Sequence, residues 1–257
     1  RRSLFGLGVI LACIALTIVT VADWEYGTGF SIREMFEKLT NRNPVMAAIP
    51  DTEFSQLWSA NTITKFIETL RLAVLGTLVG SALALPLALY STRRGAPFRW
   101  LQIIARSVSN VVRALPDILW ALVLVAAVGG GALPGLIALI LFTIAVVTKL
   151  TADTLDGIDD GPIEAANAAG ATHHQMLRTA QVPQILPAYT SWVLYAFELN
   201  LRSSAVLGLV GAGGIGERIE TFRNLAQWER LWALVVLYII VVFIVDRIST
   251  VLRARLV

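Results

Sequence analysis

Residues 118–148 read ILWALVLVAAVGGGALPGLIALILFTIAVVT and hold no Asp, Glu, Lys or Arg. A membrane-crossing helix needs about 20 mostly apolar residues at 1.5 Å rise each. The stretch is too long for one such helix and long enough for two. Gly129-Gly130-Gly131 and Pro134-Gly135 interrupt it near its middle, and clusters of these residues mark turns. The reading is two membrane helices joined by a tight turn, the first beginning well before Ile118, near Phe98.

Working outward, residues 3–22, 72–92, 179–197 and 231–245 are also free of the four charged residue types. Residues 3–22 fit one span. Arg1 and Arg2 precede them as in a signal peptide, but Ala22-Asp23-Trp24-Glu25 is a poor cleavage site, so a retained first helix is expected. The second span starts near Thr62 and contains Pro86, which neighbouring helices can accommodate. Pro183 and Pro187 place the start of the fifth at about Gln184, and the sixth runs from about Trp228 to Leu252. The expected fold is an all-α integral membrane protein of about six transmembrane helices. Residues 1–61 form a first helix and outer loop, and residues 62–257 the core.

Composition agrees. Of 257 residues, 56% are hydrophobic and 15% charged, against about 45–50% and about 25% in soluble domains. Mean hydropathy is +0.70. A soluble enzyme, a disordered tail and a disulfide scaffold are excluded. The net charge of +3 fits cytoplasmic-side arginines better than nucleic acid. The single cysteine, Cys13, lies in an apolar run and has no internal partner for a disulfide. An even number of spans puts both termini on one side. Arg1, Arg2, Arg93, Arg94, Arg99, Arg178, Arg253 and Arg255 then lie in the cytoplasm, slightly outnumbering Arg33, Lys38, Arg42, Arg218, Arg223 and Arg230 outside.

The loop at about 155–184 carries the most information. Asp159-Asp160-Gly161-Pro162-Ile163-Glu164 reads as a helix start, with Pro162 in the first turn and acids at the positive end of the dipole. Gly170 can end that helix. Thr172 and Gln175 form a capping box for the next. Glu164-Ala165-Ala166, three residues, then Gly170, followed loosely by Ile185-Leu186-Pro187, resembles the EAA loop of bacterial ABC-importer permeases. Residues 113–121 and 197–216 resemble the permeases of phosphonate/phosphate-type importers. The resemblance runs from about Ile63 to the C-terminus.

This resemblance implies a methionine-importer-like (type I) permease core in a bacterial cytoplasmic (inner) membrane, moving a phosphorus oxyanion (phosphonate, phosphate or phosphite) inward. It implies a second copy of the chain and two ATP-binding subunits. An extracytoplasmic substrate-binding protein and membrane lipid complete the assembly. Glu164, Ala165, Ala166, Gly170, Ala171 and Thr172 are the expected contacts to the ATPase. ATP and Mg would be bound by that partner, since no Gly-x4-Gly-Lys-Ser/Thr occurs here. A permease for another small solute such as methionine, a secondary transporter and an intramembrane enzyme are the rivals. No internal repeat supports the second, and no catalytic or metal-ligating set supports the third. His173 and His174 are adjacent and diverge on a helix.

Ionisable groups at membrane depth are costly and mark function by default. Arg106, Arg113, Asp117, Lys149, Glu198, Arg202 and Asp246 are such groups. Arg113 and Asp117, and Glu198 and Arg202, stand four apart, so a structural ion pair and a pathway role both stay open for each pair. Asn200, Ser203 and Ser204 add neutral donors beside Arg202. Arg113, Asp117, Glu198, Asn200, Arg202, Ser203 and Ser204 are the expected translocation pathway. Gly211-x-Gly213-x-x-Gly216 matches a dinucleotide fingerprint in form only, because no βαβ unit surrounds it. Gly211, Gly213, Gly214 and Gly216 are expected as an outer, cavity-lining turn.

Overall fold

In the computed structural model, residues 10–15, 17 and 43–255 are described. The chain divides into two compact units, Arg1–Thr52 and Glu53–Val257. In the first, residues 10–15 are helical; most of the expected first span lies outside the described residues. Asn43 caps the short helix Pro44–Ala47 by accepting from the Val45 N–H at 3.0 Å.

The second unit is all helical apart from its turns. It comprises α1 (Ala60–Ser91), α2 (Arg99–Ala114), α3 (Asp117–Val128), α4 (Ala132–Asp156), α5 (Gly161–Ala168), α6 (His173–Met176), α7 (Val182–Gly208), α8 (Ile215–Asn224) and α9 (Trp228–Arg253). Helices α1, α4 and α9 are long and apolar enough to cross a membrane, and the bent pair α2–α3 raises the count to four. Helix α7 has the length to cross, but its Glu198, Asn200 and Arg202 lower its apolarity. Among the described residues there is no strand.

The core is the packing of α1, α4 and α7. Gly76, Gly80, Ala84 and Ala88 recur every fourth residue on the buried face of α1. Small residues in this spacing let membrane helices approach closely. A Cβ at Gly76 would lie 2.8 Å from the Leu139 Cβ, and one at Gly80 2.5 Å from the Thr143 Cβ. Helix α9 is the opposite case. Only 11% of its most apolar window is buried, against 44% in α1 and α4. Ile239, Ile240, Phe243, Ile244 and Ile248 remain exposed, an apolar face suited to lipid or another chain.

Two expectations change here. The helix expected to run unbroken from near Phe98 is two helices bent by 85°. Leu115 adopts φ −106°, ψ 134° because it precedes Pro116, whose ring excludes the helical conformation from the residue before it. The fifth long helix begins at Val182 rather than Gln184, and a π-helical turn, Leu177–Gln181, leads into it. Pro183 has no N–H to give the preceding turn, and a widened turn accommodates that gap.

Candidate coupling loop and charged cavities

The loop between α4 and α7 is held at both ends and free in the middle. Its helix α5 starts as expected, with Pro162 in the first turn, and Asp159 Oδ1 accepts from the Gly161 N–H at 3.0 Å. It ends in a Schellman motif. Gly170 sits at φ +76°, its N–H reaches Asn167 O at 3.0 Å, and the Ala171 N–H reaches Ala166 O at 3.0 Å. Gln175 returns to Thr172, accepting from its N–H at 2.8 Å and its hydroxyl at 3.0 Å. No residue of α5 is buried. Glu164, Ala165, Gly170 and Thr172 are exposed, and Ala166 and Ala171 half-buried.

The clamp comes from the turn between α1 and α2. Arg94 donates to Ile158 O at 3.1 Å and pairs with Asp160 at 3.2 Å on one side of the loop. On the other, the His173 ring nitrogen Nε2 meets Gly95 O at 2.9 Å, and Gln181 Nε2 donates to Arg94 O at 3.1 Å. Gln184 Nε2 donates to Asp159 O at 3.3 Å. These contacts tie the loop to the α1–α2 turn, to the segment after α4 and to the start of α7. Sequence reading identified α5 but missed this clamp, whose partners lie far apart in the chain.

Arg113 and Asp117 do not share a helical face. They end α2 and begin α3, on either side of the bend. Asp117 Oδ1 accepts from the Ile118 N–H at 2.9 Å. Both line one cavity of about 180 Å³. Arg113 also lines a larger cavity of about 290 Å³ with Arg106, Ser109, Asn110, Lys149 and Asp156. Lys149 pairs with Asp153 there. Arg99, Arg106 and Arg113 are seven apart, two turns of helix, so one face of α2 carries a guanidinium stripe. That spacing is legible in the sequence and was the missed signal.

Glu198 and Arg202 do not pair with each other. Glu198, buried, accepts from Arg253 at 2.6 Å, and Arg202 pairs with Asp246 at 3.0 Å, both partners lying on α9. Asn200 points to the opposite side of α7. Its Nδ2 donates to Thr77 Oγ1 at 2.8 Å and Thr143 Oγ1 at 2.7 Å, joining α7 to α1 and α4. Ser204 donates to Leu201 O at 2.7 Å within its own helix, and Ser203 is half-buried. Arg113 and Asp117 thus lie at the bend, Glu198 and Arg202 at the α7–α9 contact and Asn200 in the three-helix core.

The glycine-rich turn packs tightly. Gly211, Gly213 and Gly214 have φ of +82°, +81° and +75°, a region L-residues avoid. The Gly131 N–H donates to Gly211 O at 2.8 Å, so this turn meets the one between α3 and α4. Thr69 accepts the Ile215 N–H at 2.7 Å. A Cβ at Gly216 would lie 1.9 Å from Ala205 O, which explains glycine there by close approach.

An all-α chain with membrane-length helices, an exposed helix on a clamped loop and charged cavities beside it has the form of a transport permease. Residues 76–257 match the family described as binding-protein-dependent transport system inner membrane component, and the chain belongs to that family. It is 36% identical over 259 residues to the phosphite transport system permease protein PtxC of Stutzerimonas stutzeri, covering 97% of this chain and 91% of that protein. It is 39% identical over 176 residues to the phosphate-import permease protein PhnE of Mycolicibacterium smegmatis, covering 68% of this chain and 33% of that protein. The MetNI methionine ABC transporter, in an inward-facing conformation, shares the fold at TM-score 0.65 and 22% identity, over 77% of this chain and 99% of that one. The chain is a multi-pass membrane transport subunit with the type I permease architecture.

Proposed function

We propose that this chain is the translocation subunit of an ATP-driven importer that carries a phosphorus oxyanion (phosphonate, phosphate or phosphite) into the cytoplasm. The observation that carries the reading is the exposed α5 on a loop clamped to four helices, in a chain whose relative over nearly its full length is a phosphite permease. Two copies of the chain form the pathway. Each offers Glu164, Ala165, Ala166, Gly170, Ala171 and Thr172 to one of two ATP-binding subunits, which hold ATP and Mg. A binding protein delivers the anion on the outer side, and the coupling loop and both termini lie in the cytoplasm of the inner membrane. When the ATPases close, α5 is pulled, and the clamp through Arg94, His173 and Gln181 carries the movement to the membrane helices.

The charged cavities suit the cargo. Arg106, Arg113 and Lys149 supply cations at the bend, where a low dielectric strengthens attraction to an anion. Asp153 and Asp156 beside them moderate it, which keeps the anion from being trapped. Proteoliposomes containing the permease, its ATPase and its binding protein test the reading. Labelled phosphite, phosphate or methylphosphonate should accumulate only in vesicles with the ATPase and ATP inside and the binding protein outside. Uptake of methionine instead, or uptake of any of these without ATP, would replace it.

A further inference from the structure

Beside the coupling-loop clamp lies a third cavity, of about 500 Å³, that nothing above employs. It sits where the turn after α1 enters α2, and Arg93, Arg99 and Arg106 line it. Among the described residues no carboxylate lines it or pairs with these three arginines, whereas Arg94, Arg202, Arg223, Arg230 and Arg253 each have an acidic partner. Arg106 spends its Nε on Ser91 O at 2.6 Å, which leaves its two terminal nitrogens for the cavity. Gln102 lies between Arg99 and Arg106 on the same face of α2, three residues from one and four from the other. It is 9% exposed, lines the cavity, and its Nε2 is a buried donor without an acceptor. An orphaned buried amide costs about 1–3 kcal/mol unless something accepts from it. Three guanidinium groups around one cavity with no carboxylate in its lining call for an anion with several oxygens.

We infer that Arg93, Arg99, Arg106 and Gln102 form a binding site for a phosphate group. Guanidinium groups bind phosphate oxygens in pairs through their planar fork, and the cavity is within the about 300–1,000 Å³ range of ligand sites. Ala96, Phe98 and Ile103 complete the lining. Phe98, 60% exposed, stacks on Trp100 outside the cavity at 6.2 Å, and Ile103 is 56% exposed. Aromatic residues beside arginines are the pattern of a membrane interface, where basic pockets take anionic headgroups. Two sources share this chemistry: the headgroup phosphate of an anionic phospholipid, and a free phosphorus oxyanion. The site shares Arg106 with the cavity at the bend, and a headgroup phosphate there is independent of which solute is carried.

The full chain, purified in phosphatidylcholine nanodiscs, is titrated in two arms. One adds phosphatidylglycerol and counts bound lipid by native mass spectrometry. The other adds radiolabelled inorganic phosphate in equilibrium dialysis. Saturable binding of one ligand per chain in the first arm assigns a headgroup site, and in the second a free-oxyanion site. In the arm that binds, Arg93→Ala and Gln102→Leu should each weaken binding about tenfold. Arg223→Ala, which removes an exposed arginine elsewhere, should not. Arg93 is exposed and outside every helix, so its substitution leaves the fold intact should Gln102→Leu disturb it. No saturable binding in either arm, or binding to Arg93→Ala as tight as to the wild type, overturns the site.

Discussion

At the residue scale, Asn200 shows what a polar side chain does inside a membrane helix bundle. It is fully buried and bridges Thr77 and Thr143 on two other helices. Asn200→Ala removes both bonds at the centre of the core, and interhelical hydrogen bonds of this kind are worth roughly 0.6–2 kcal/mol. Thermal unfolding of the purified chain should therefore shift down, with the helix content of the folded state unchanged. Glu53 lies outside the membrane helices and responds to pH. The Arg230 guanidinium, 2.8 Å away, holds its carboxyl below the ordinary range, with help from the Ser55 hydroxyl. A folded-state pKa below the unfolded one gives stability that is full above the unfolded value, about 4.3, and is lost as pH falls through the folded value. The difference in melting temperature between wild type and Glu53→Gln should be constant at neutral pH and vanish in acid.

At the element scale, charge-free runs locate helices well and their breaks poorly. The runs around residues 72–92, 118–148 and 231–245 correspond to α1, α3 with α4, and α9. The α2–α3 bend escaped because Leu115-Pro116 lies in a stretch that otherwise continues a helix. With the bend missed, Arg113 and Asp117 were counted on one face. Glu198 and Arg202 misled for another reason. Spacing of four puts two side chains near each other, but their carboxylate and guanidinium found better partners in Arg253 and Asp246 on a distant helix. Arg202→Ala leaves Asp246 without its cation on the α9 side. Expression and stability should fall, and the double variant Arg202→Ala with Asp246→Asn should recover them. Recovery of neither contradicts the Arg202–Asp246 pair as the reason for the loss. The α1–α4 contact makes a sharper claim. Gly80→Val places branched carbon where Thr143 already stands, and overpacking of this sort costs about 1–3 kcal/mol. A measured loss of folded protein on size-exclusion chromatography checks it.

At the scale of the whole molecule, the candidate site divides in its legibility. Helix α5 was readable because Pro, acids, alanines and glycine follow one another locally, and local order is what capping and propensity record. The clamp was not, because Arg94 and Asp160, or Gly95 and His173, come together only after α1 and α4 have packed. The cavities were half readable: Arg106, Arg113 and Lys149 stood out as charges at membrane depth, but which ones share a space depends on the bend. Together these features suit the proposed lever: an exposed helix, a clamped mount and the membrane helices joined to it.

The most direct test of that lever measures ATP hydrolysis and solute uptake in the same proteoliposomes, for the wild type, Glu164→Arg and Gly170→Leu. Gly170 has open space around it but a positive φ, so leucine there strains the turn that ends α5 rather than the core. Coupling between sites is typically worth 5–150-fold, and both variants should lose uptake by about tenfold or more while the complex still assembles and hydrolyses ATP. Normal uptake per ATP hydrolysed in both variants would contradict the account.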